Sequence, residues 1–290
     1  MNYKQDIEIR YNKTFEREYT VVLDGRTAES AMTAAERQAQ HTAMLVTFTE
    51  AYRDYRSITN AAAIWNAIYS AHLRRKAGVF DSSDLNEEVI GKIISGAQSW
   101  KKCSGHVFEH FVVSYTKERL QKYNIRFILQ KDLTAMLHDN QIMNEPEDQI
   151  PQMAQSDNFD IYAVVAVNGN NLVFGCVQAK TSIRDRVGRD RDFSIPAMQR
   201  HFWSVAVVLD GGYLSMPKFT SMVNGGGTTQ YVENGWHGMY SMSNANACDR
   251  IYRDENLEIL IQHANEAAQK FTAARQRFDR YWKAINGLEI

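Results

Sequence analysis

The chain has 290 residues, 44% of them hydrophobic, so it can bury a large core and is not an extensively disordered protein. Its 33 basic and 34 acidic residues nearly cancel, so the total charge gives no support to nucleic-acid binding. The three cysteines are far apart and have no zinc-type spacing, which disfavours a zinc site and favours a reducing compartment over a disulfide-rich secreted scaffold.

The sequence carries no pattern that would place the protein in a membrane. Its N-terminus, MNYKQDIEIRYNK, is polar and lacks the apolar core of a signal peptide. No uninterrupted apolar stretch is long enough to span a bilayer. We therefore expect a cytoplasmic protein with no membrane partner.

The first part of the chain has the composition of long helices. The segment 27–57 contains no glycine or proline and is rich in alanine and glutamate, which favours a helix. Three further helices are predicted at 59–76, at about 84–98, and in a stretch that follows Gly105.

Strand patterns dominate the next part of the chain. Strands are predicted at 125–129, 159–167, 172–181, 202–209 and 239–242. Residues 140–157 are polar and predict a loop, residues 185–201 predict a helix or structured loop, and residues 254–284 predict a helix. The Asn-Gly turn at 168–171 favours an antiparallel hairpin between the second and third strands, and the apolar run at 202–209 favours a central strand.

This order of elements predicts a mixed α/β fold, with a sheet core flanked by helices. We expect a mainly helical N-terminal region over residues 1–100, and a core domain with C-terminal helices over residues 101–290.

Three polar residues are predicted to converge at one end of the hairpin. Asp160 begins the first hairpin strand, whereas Gln178 and Lys180 lie near the end of the second and point to the same face. Burying Lys180 without a partner at the end of so apolar a strand would cost free energy. A nearby carboxylate and a bound cation would explain why these polar groups converge. Such oxygen ligands suit Mg²⁺, which polarises a phosphate and makes a hydroxide available, while a lysine can orient the attacking water.

The run NFDIYAVV, a turn and LVFGCVQAK resembles the core motif of the PD-(D/E)XK restriction endonucleases. In that motif, an aspartate on one strand is followed on the next strand by an acid, any residue and a lysine. Asp160 matches the aspartate and Lys180 the lysine, whereas Gln178 stands in place of the acid. The resemblance therefore implies a Mg²⁺ site at Asp160 and Gln178. Asp190 and Asp192 are candidates to replace the missing acid, and the alternatives are Glu109 or no replacement.

The segment that follows Lys180 resembles the K-x-x-x-R-(D/E)-R segment of the CCGG-reading, BsaWI/AgeI-like branch. In that branch the arginines donate to guanine and the acid accepts from cytosine, as base-edge chemistry requires. The resemblance implies that Arg184, Asp185 and Arg186 read G·C pairs. The nearby Arg189 and Arg191 add positive charge for DNA phosphates.

The same resemblance implies that Glu109, on a helix before the sheet, faces the active site and helps to hold the metal or its water shell. It implies a Type II restriction endonuclease, a phosphodiester hydrolase that cuts double-stranded DNA. A palindromic target requires two-fold symmetry, so we expect a homodimer. A cognate DNA methyltransferase is expected in the same restriction-modification system.

Three alternatives remain at this stage. The glutamine in place of an acid is compatible with a DNA-binding protein that does not cleave. The same fold also serves repair and junction-resolving nucleases. Finally, the near-zero net charge is compatible with an α/β protein unrelated to nucleic acids, in which the motif is accidental.

Overall fold

A computed structural model of the chain describes residues 2–78, 87–156, 158–182, 187–274 and 281–284. Its helices are α1 Tyr3–Leu23, α2 Glu29–Tyr55, α3 Ala61–Ala77, α4 Glu87–Gln121, α5 Gln130–His138, α6 Ile150–Gln155, α7 Val187–Gln199, α8 Pro217–Asn224 and α9 Glu258–Ala274. Its strands are β1 Ile125–Leu129, β2 Ile161–Val167, β3 Asn170–Ser182, β4 Trp203–Asp210, β5 Gly238–Ser241 and β6 Ile251–Arg253. The chain divides into two compact units, Met1–Phe111 and Val112–Ile290.

The first unit is helical, as the alanine-rich sequence predicted. Helix α2 buries alanines on one face (Ala35, Ala39, Ala43 and Ala51), and α1 packs against this helix. Aromatic rings complete this core, with the Phe48 ring 4.8 Å from that of Trp65 and 4.7 Å from that of Phe111.

Two expectations for this unit were wrong. Helix α1 was not predicted, because its buried face (Ile7, Tyr11, Thr14 and Phe15) is hidden in a polar sequence. The separate helices expected on either side of Gly105 are one continuous helix, α4. A glycine inside a helix costs only about 1 kcal/mol relative to alanine. Burial of Val107 and Phe108 just beyond it stabilises the continuous helix.

The second unit is built on a six-stranded sheet in the order β1-β2-β3-β4-β5-β6. Strand β2 is antiparallel to both β1 and β3, and β3 to β6 run parallel to one another. The predicted hairpin is confirmed: Val167 pairs with Asn170 across a two-residue turn. Asn168 and Gly169 have φ values of 51° and 82°, as a type I′ turn requires.

The predicted central strand is also confirmed, since β4 lies between β3 and β5. It is buried along almost its whole length, which is why its sequence shows no polar alternation. A cluster that includes Leu133 of α5, Met153 of α6 and Ala197 of α7 covers part of the sheet. Helix α9 packs against β1, β2 and β3, with the Phe271 ring 6.4 Å from that of Phe174.

The irregular segments of this unit depart most from the predictions. Residues 140–157 contain the short helix α6, which buries Ile150 and Met153, so a loop throughout was wrong. The helix expected over 254–284 begins at Glu258, and residues 281–284 are not helical. The short elements α5, α8 and β6 were not predicted. Within the described part of the chain, no helix is long and apolar enough to cross a membrane.

Candidate active site

Asp160 and Lys180 meet where β2 begins and β3 nears its end. The Asp160 backbone N–H donates to the carbonyl oxygen of Val177 at 3.2 Å, which continues the hairpin ladder by one residue. The Asp160 Oδ2 atom accepts a hydrogen bond from the Ala179 N–H at 2.8 Å and lies 3.3 Å from Lys180 Nζ. The carboxylate is thus fixed by the backbone of the strand that carries the lysine.

A second carboxylate reaches the same ammonium group from helix α7. Asp190 Oδ1 lies 3.6 Å from Lys180 Nζ. The side chains of Asp160, Asp190 and Lys180 are 21%, 20% and 31% exposed, so solvent and a substrate can approach them. Asp192 is exposed and lies two residues further along, about 200° around the helix axis. Of the two candidates for the missing acid, the structure therefore brings Asp190 to the lysine.

Gln178 is fully buried, and its amide is occupied by protein groups. Its Nε2 atom donates to the carbonyl oxygens of Asn158 at 3.2 Å and Asp190 at 3.0 Å. Its Oε1 atom accepts from the indole N–H of Trp236 at 2.8 Å. These bonds engage both amide hydrogens and the oxygen, and they connect three segments that are distant in sequence.

The predicted DNA-binding residues have different environments. Arg184, Asp185 and Arg186 lie outside the described residues. Arg189 is exposed, with its guanidinium 5.8 Å from the centre of the Phe193 ring. Arg191 donates to the carbonyl oxygens of Met222 at 3.1 Å and Glu233 at 2.6 Å, and the DNA-binding role that was expected for it stays a prediction.

Glu109 lies on α4 in the first unit, where its Oε2 atom is 3.2 Å from His106 Nδ1. Its side chain is 14% exposed. The role at the metal that was expected for Glu109 stays a prediction.

The donor set beside Lys180 fits a hard divalent cation. Mg²⁺ is commonly bound by one or two protein carboxylates, with water and substrate phosphate oxygens as the other ligands. Asp160 and Asp190 supply such a pair at a partly exposed position. Within the described ranges, no group of three or more His, Cys, Asp and Glu side chains is arranged to hold a metal ion. Water and substrate oxygens would thus complete the coordination.

Sequence reasoning missed the role of Trp236. Its indole meets Gln178 from 58 positions away in the chain, and no short motif marks that pairing. The available signal was the polar amide within the apolar run of β3, since a buried amide requires hydrogen-bond partners.

Comparison with known proteins decides the family of the chain. A family model described as "BsaWI restriction endonuclease type 2" matches residues 143–277. The solved structure of a pre-specific BsaWI restriction endonuclease–DNA complex is 44% identical to this chain, covers 98% of it and 99% of the BsaWI chain, and superposes with a TM-score of 0.65. This chain belongs to the BsaWI family of type II restriction endonucleases. The search of curated proteins gave no match.

A second solved structure, of a specific AgeI restriction endonuclease–DNA complex, is 17% identical, covers 84% of each chain and has a TM-score of 0.52. At that identity it supports the fold alone. Membership of the BsaWI family confirms the predicted restriction-endonuclease fold and the class of enzyme, a type II site-specific deoxyribonuclease. It also excludes the alternative of a protein unrelated to nucleic acids.

Proposed function

We propose that this BsaWI-family endonuclease hydrolyses phosphodiester bonds of double-stranded DNA at a site with a CCGG-type core, with Mg²⁺ as its cofactor. The observation that supports this most directly is the position of Lys180 Nζ, 3.3 Å from one aspartate oxygen and 3.6 Å from another. A lysine beside two partly exposed carboxylates supplies the groups that metal-assisted phosphodiester hydrolysis requires.

Asp160 and Asp190 would hold the Mg²⁺ ion. The bound metal would supply polarisation of the scissile phosphate and a more acidic water. Lys180 would donate a hydrogen bond to the attacking water and stabilise the negative charge that develops on the phosphate. The Ala179 N–H keeps the Asp160 carboxylate in place for this task.

We propose Asp190, rather than Gln178, as the acid that completes the site. Gln178 was predicted to ligate the metal, but its oxygen already accepts from Trp236 and its nitrogen donates to two backbone carbonyls. Asp190, in contrast, directs a carboxylate oxygen towards Lys180.

Base reading is assigned to Arg184, Asp185 and Arg186, on the resemblance of their segment to the CCGG-reading enzymes. Arginine can bond two acceptors of guanine, and aspartate can accept from cytosine N4. Arg189 is exposed and is assigned to DNA phosphates. The 44% identical relative was solved as a DNA complex, which supports double-stranded DNA as the partner. We also propose that the enzyme is a cytoplasmic homodimer and that a cognate DNA methyltransferase belongs to the same restriction-modification system.

The test is digestion of plasmid and phage DNA in Mg²⁺ by the native protein and three variants. We expect discrete fragments whose mapped ends share a CCGG-type core. Lys180→Ala and Asp190→Asn should each slow cleavage by at least about 100-fold, because each removes a charge that acts in the transition state. Asp192→Asn is the matched control, since it removes an exposed carboxylate from the same helix, and it should cleave at the native rate.

Failure of the native protein to cut DNA in either Mg²⁺ or Mn²⁺ would contradict the proposed function. Cleavage at sites without a CCGG-type core would contradict only the assigned specificity. Full activity of Asp190→Asn would remove that residue from the metal site.

A further inference from the structure

The segment that precedes β5 is tied to the candidate active site by a buried tryptophan. Trp236 is 1% exposed, and its indole N–H donates at 2.8 Å to the oxygen of Gln178, which is fully buried. The following residue is fixed to β4, because the His237 N–H donates to the Ser204 carbonyl oxygen at 2.9 Å. The position of the indole is therefore set by the sheet and not by a free loop.

Gln178 connects Trp236 to helix α7 through hydrogen bonds. With its oxygen held by Trp236, the amide directs its N–H groups to the carbonyl oxygens of Asn158 and Asp190. The Asp190 carbonyl belongs to the residue whose carboxylate lies beside Lys180. A glutamate carboxylate at position 178 has no N–H group to donate, and its negative charge would be repelled by both carbonyl oxygens. The hydrogen bonds at this position therefore require an amide.

A second connection reaches α7 one residue further on. Arg191 donates to the carbonyl oxygens of Met222 and Glu233, and its guanidinium lies 5.3 Å from the centre of the Tyr231 ring. Gly235 permits this approach, since a Cβ atom there would lie 2.4 Å from the Met222 oxygen and 2.9 Å from Arg191 Cγ. Asp190 is thus anchored through its own carbonyl oxygen to Gln178, and through the next residue, Arg191, to Met222 and Glu233.

We propose that Gln178 and Trp236 are a positioning pair that holds the first turn of α7, and with it the Asp190 carboxylate, against Lys180. The inference rests on the nuclease function proposed above. Because the hydrogen-bonded pair is buried, it keeps one geometry without competition from water. Gln178 donates to the Asp190 carbonyl oxygen, so the pair acts through the backbone of Asp190.

The chain offers a matched pair of variants to test this. Trp236→Phe removes the indole N–H that holds Gln178. Trp203→Phe removes the same group from a tryptophan that is equally buried, but whose Nε1 atom has no hydrogen-bond partner among the described residues. Both variants shorten a buried aromatic side chain, and only the first leaves a buried amide oxygen without its donor.

Two measurements separate positioning from a general loss of structure. The first is the cleavage rate constant at saturating DNA, which we expect to fall roughly tenfold in Trp236→Phe, while the DNA concentration for half-maximal rate stays within about twofold. The second is Mn²⁺ binding to the protein without DNA, followed by electron paramagnetic resonance, which should weaken several-fold. Trp203→Phe should match the native protein in both, and circular dichroism should show all proteins folded at the assay temperature.

Gln178→Glu gives an independent test, because it restores the acid of the common motif. If Gln178 is a metal ligand, the added charge should strengthen Mn²⁺ binding and preserve cleavage. If it positions α7, this variant should bind Mn²⁺ no better than the native protein and cut DNA at least about tenfold more slowly.

Equal behaviour of Trp236→Phe and Trp203→Phe in both assays would overturn the positioning pair, as would an active Gln178→Glu with tighter Mn²⁺ binding. Cleavage by the native protein tests the proposed function separately. The Mn²⁺ comparison tests the pair even without cleavage.

Discussion

At the scale of single residues, the second unit buries a titratable cluster on β5, β6 and α9. His263 is 1% exposed, and its Nδ1 atom is hydrogen-bonded to the Tyr240 hydroxyl at 2.8 Å. Burial lowers the pKa of His263 from 6.5 to about 4, because the charged ring would lose its hydration. Burial also raises the pKa of Asp254 to about 6, against the opposing effect of hydrogen bonds from backbone N–H groups at the start of α9.

These shifts predict a pH dependence of stability. The pKa of His263 is lower in the folded protein than in the unfolded chain, so protonation of this ring favours unfolding. Above pH 6.5 the ring is neutral in both states, and the free energy of unfolding decreases as the pH falls from 6.5 towards 4. His263→Gln removes this loss, so between pH 7 and pH 5 the native protein should lose about 2 kcal/mol relative to the variant. Asp254 has the opposite sign but is present in both proteins, so its effect cancels in the difference.

Urea unfolding at both pH values measures this difference. His138→Gln is the control, because it makes the same substitution at a side chain that is 87% exposed. A constant stability difference between the native protein and His263→Gln would show that His263 does not stay neutral in the fold.

At the scale of elements, α4 remains one helix although its sequence contains three glycines, which disfavour a helix locally. The helix runs through Gly91, Gly96 and Gly105 without interruption. A Cβ atom at Gly91 would have no neighbour within 4 Å, whereas one at Gly96 would lie 3.0 Å from Leu73 Cδ2 of α3. The two glycines have the same helical backbone and differ in whether another helix approaches them.

Alanine at these two positions should therefore have different effects. Gly91→Ala should stabilise the protein by about 0.5–1 kcal/mol, because alanine loses less backbone entropy than glycine when a helix forms. Gly96→Ala should gain less or destabilise, because its methyl group would have to displace Leu73. Thermal melting of both variants tests this difference, and an equal gain in Tm would show that α3 does not pack closely at Gly96.

At the scale of the whole molecule, two features bear on DNA binding: the near-zero net charge of the chain and the symmetry of a palindromic site. The chain carries a net charge of −1, so we expect the phosphate contacts to come from local basic groups such as the exposed Arg189. A palindromic site presents two equivalent half-sites, and two copies of one chain related by a two-fold axis match them.

We therefore expect sedimentation equilibrium to give twice the mass of one 290-residue chain. The dimer should persist on a duplex that contains the mapped cleavage site, with one duplex bound per two chains. A monomer both free and on that duplex would contradict the two-fold arrangement and favour sequential cutting of the strands.

The sequence by itself determined the parts of this protein that are set by local pattern. Periodicity and turn chemistry predicted the hairpin and the central strand, because side-chain alternation and an Asn-Gly turn specify a strand pair locally. The predicted hairpin was enough to place Asp160 near Lys180. The motif and the arginine segment predicted the restriction-endonuclease family, which the comparisons confirmed.

Only the tertiary structure decided which polar groups lie beside Lys180. Asp190 and Asp192 are equivalent in sequence, and the packing of α7 beside β3 brings just one of them to Lys180. The motif position of Gln178 suggested a ligand, whereas its contacts with Asn158, Asp190 and Trp236 depend on three segments meeting in space. Such contacts have no sequence period, because they arise from long-range packing and not from the repeat of a helix or strand.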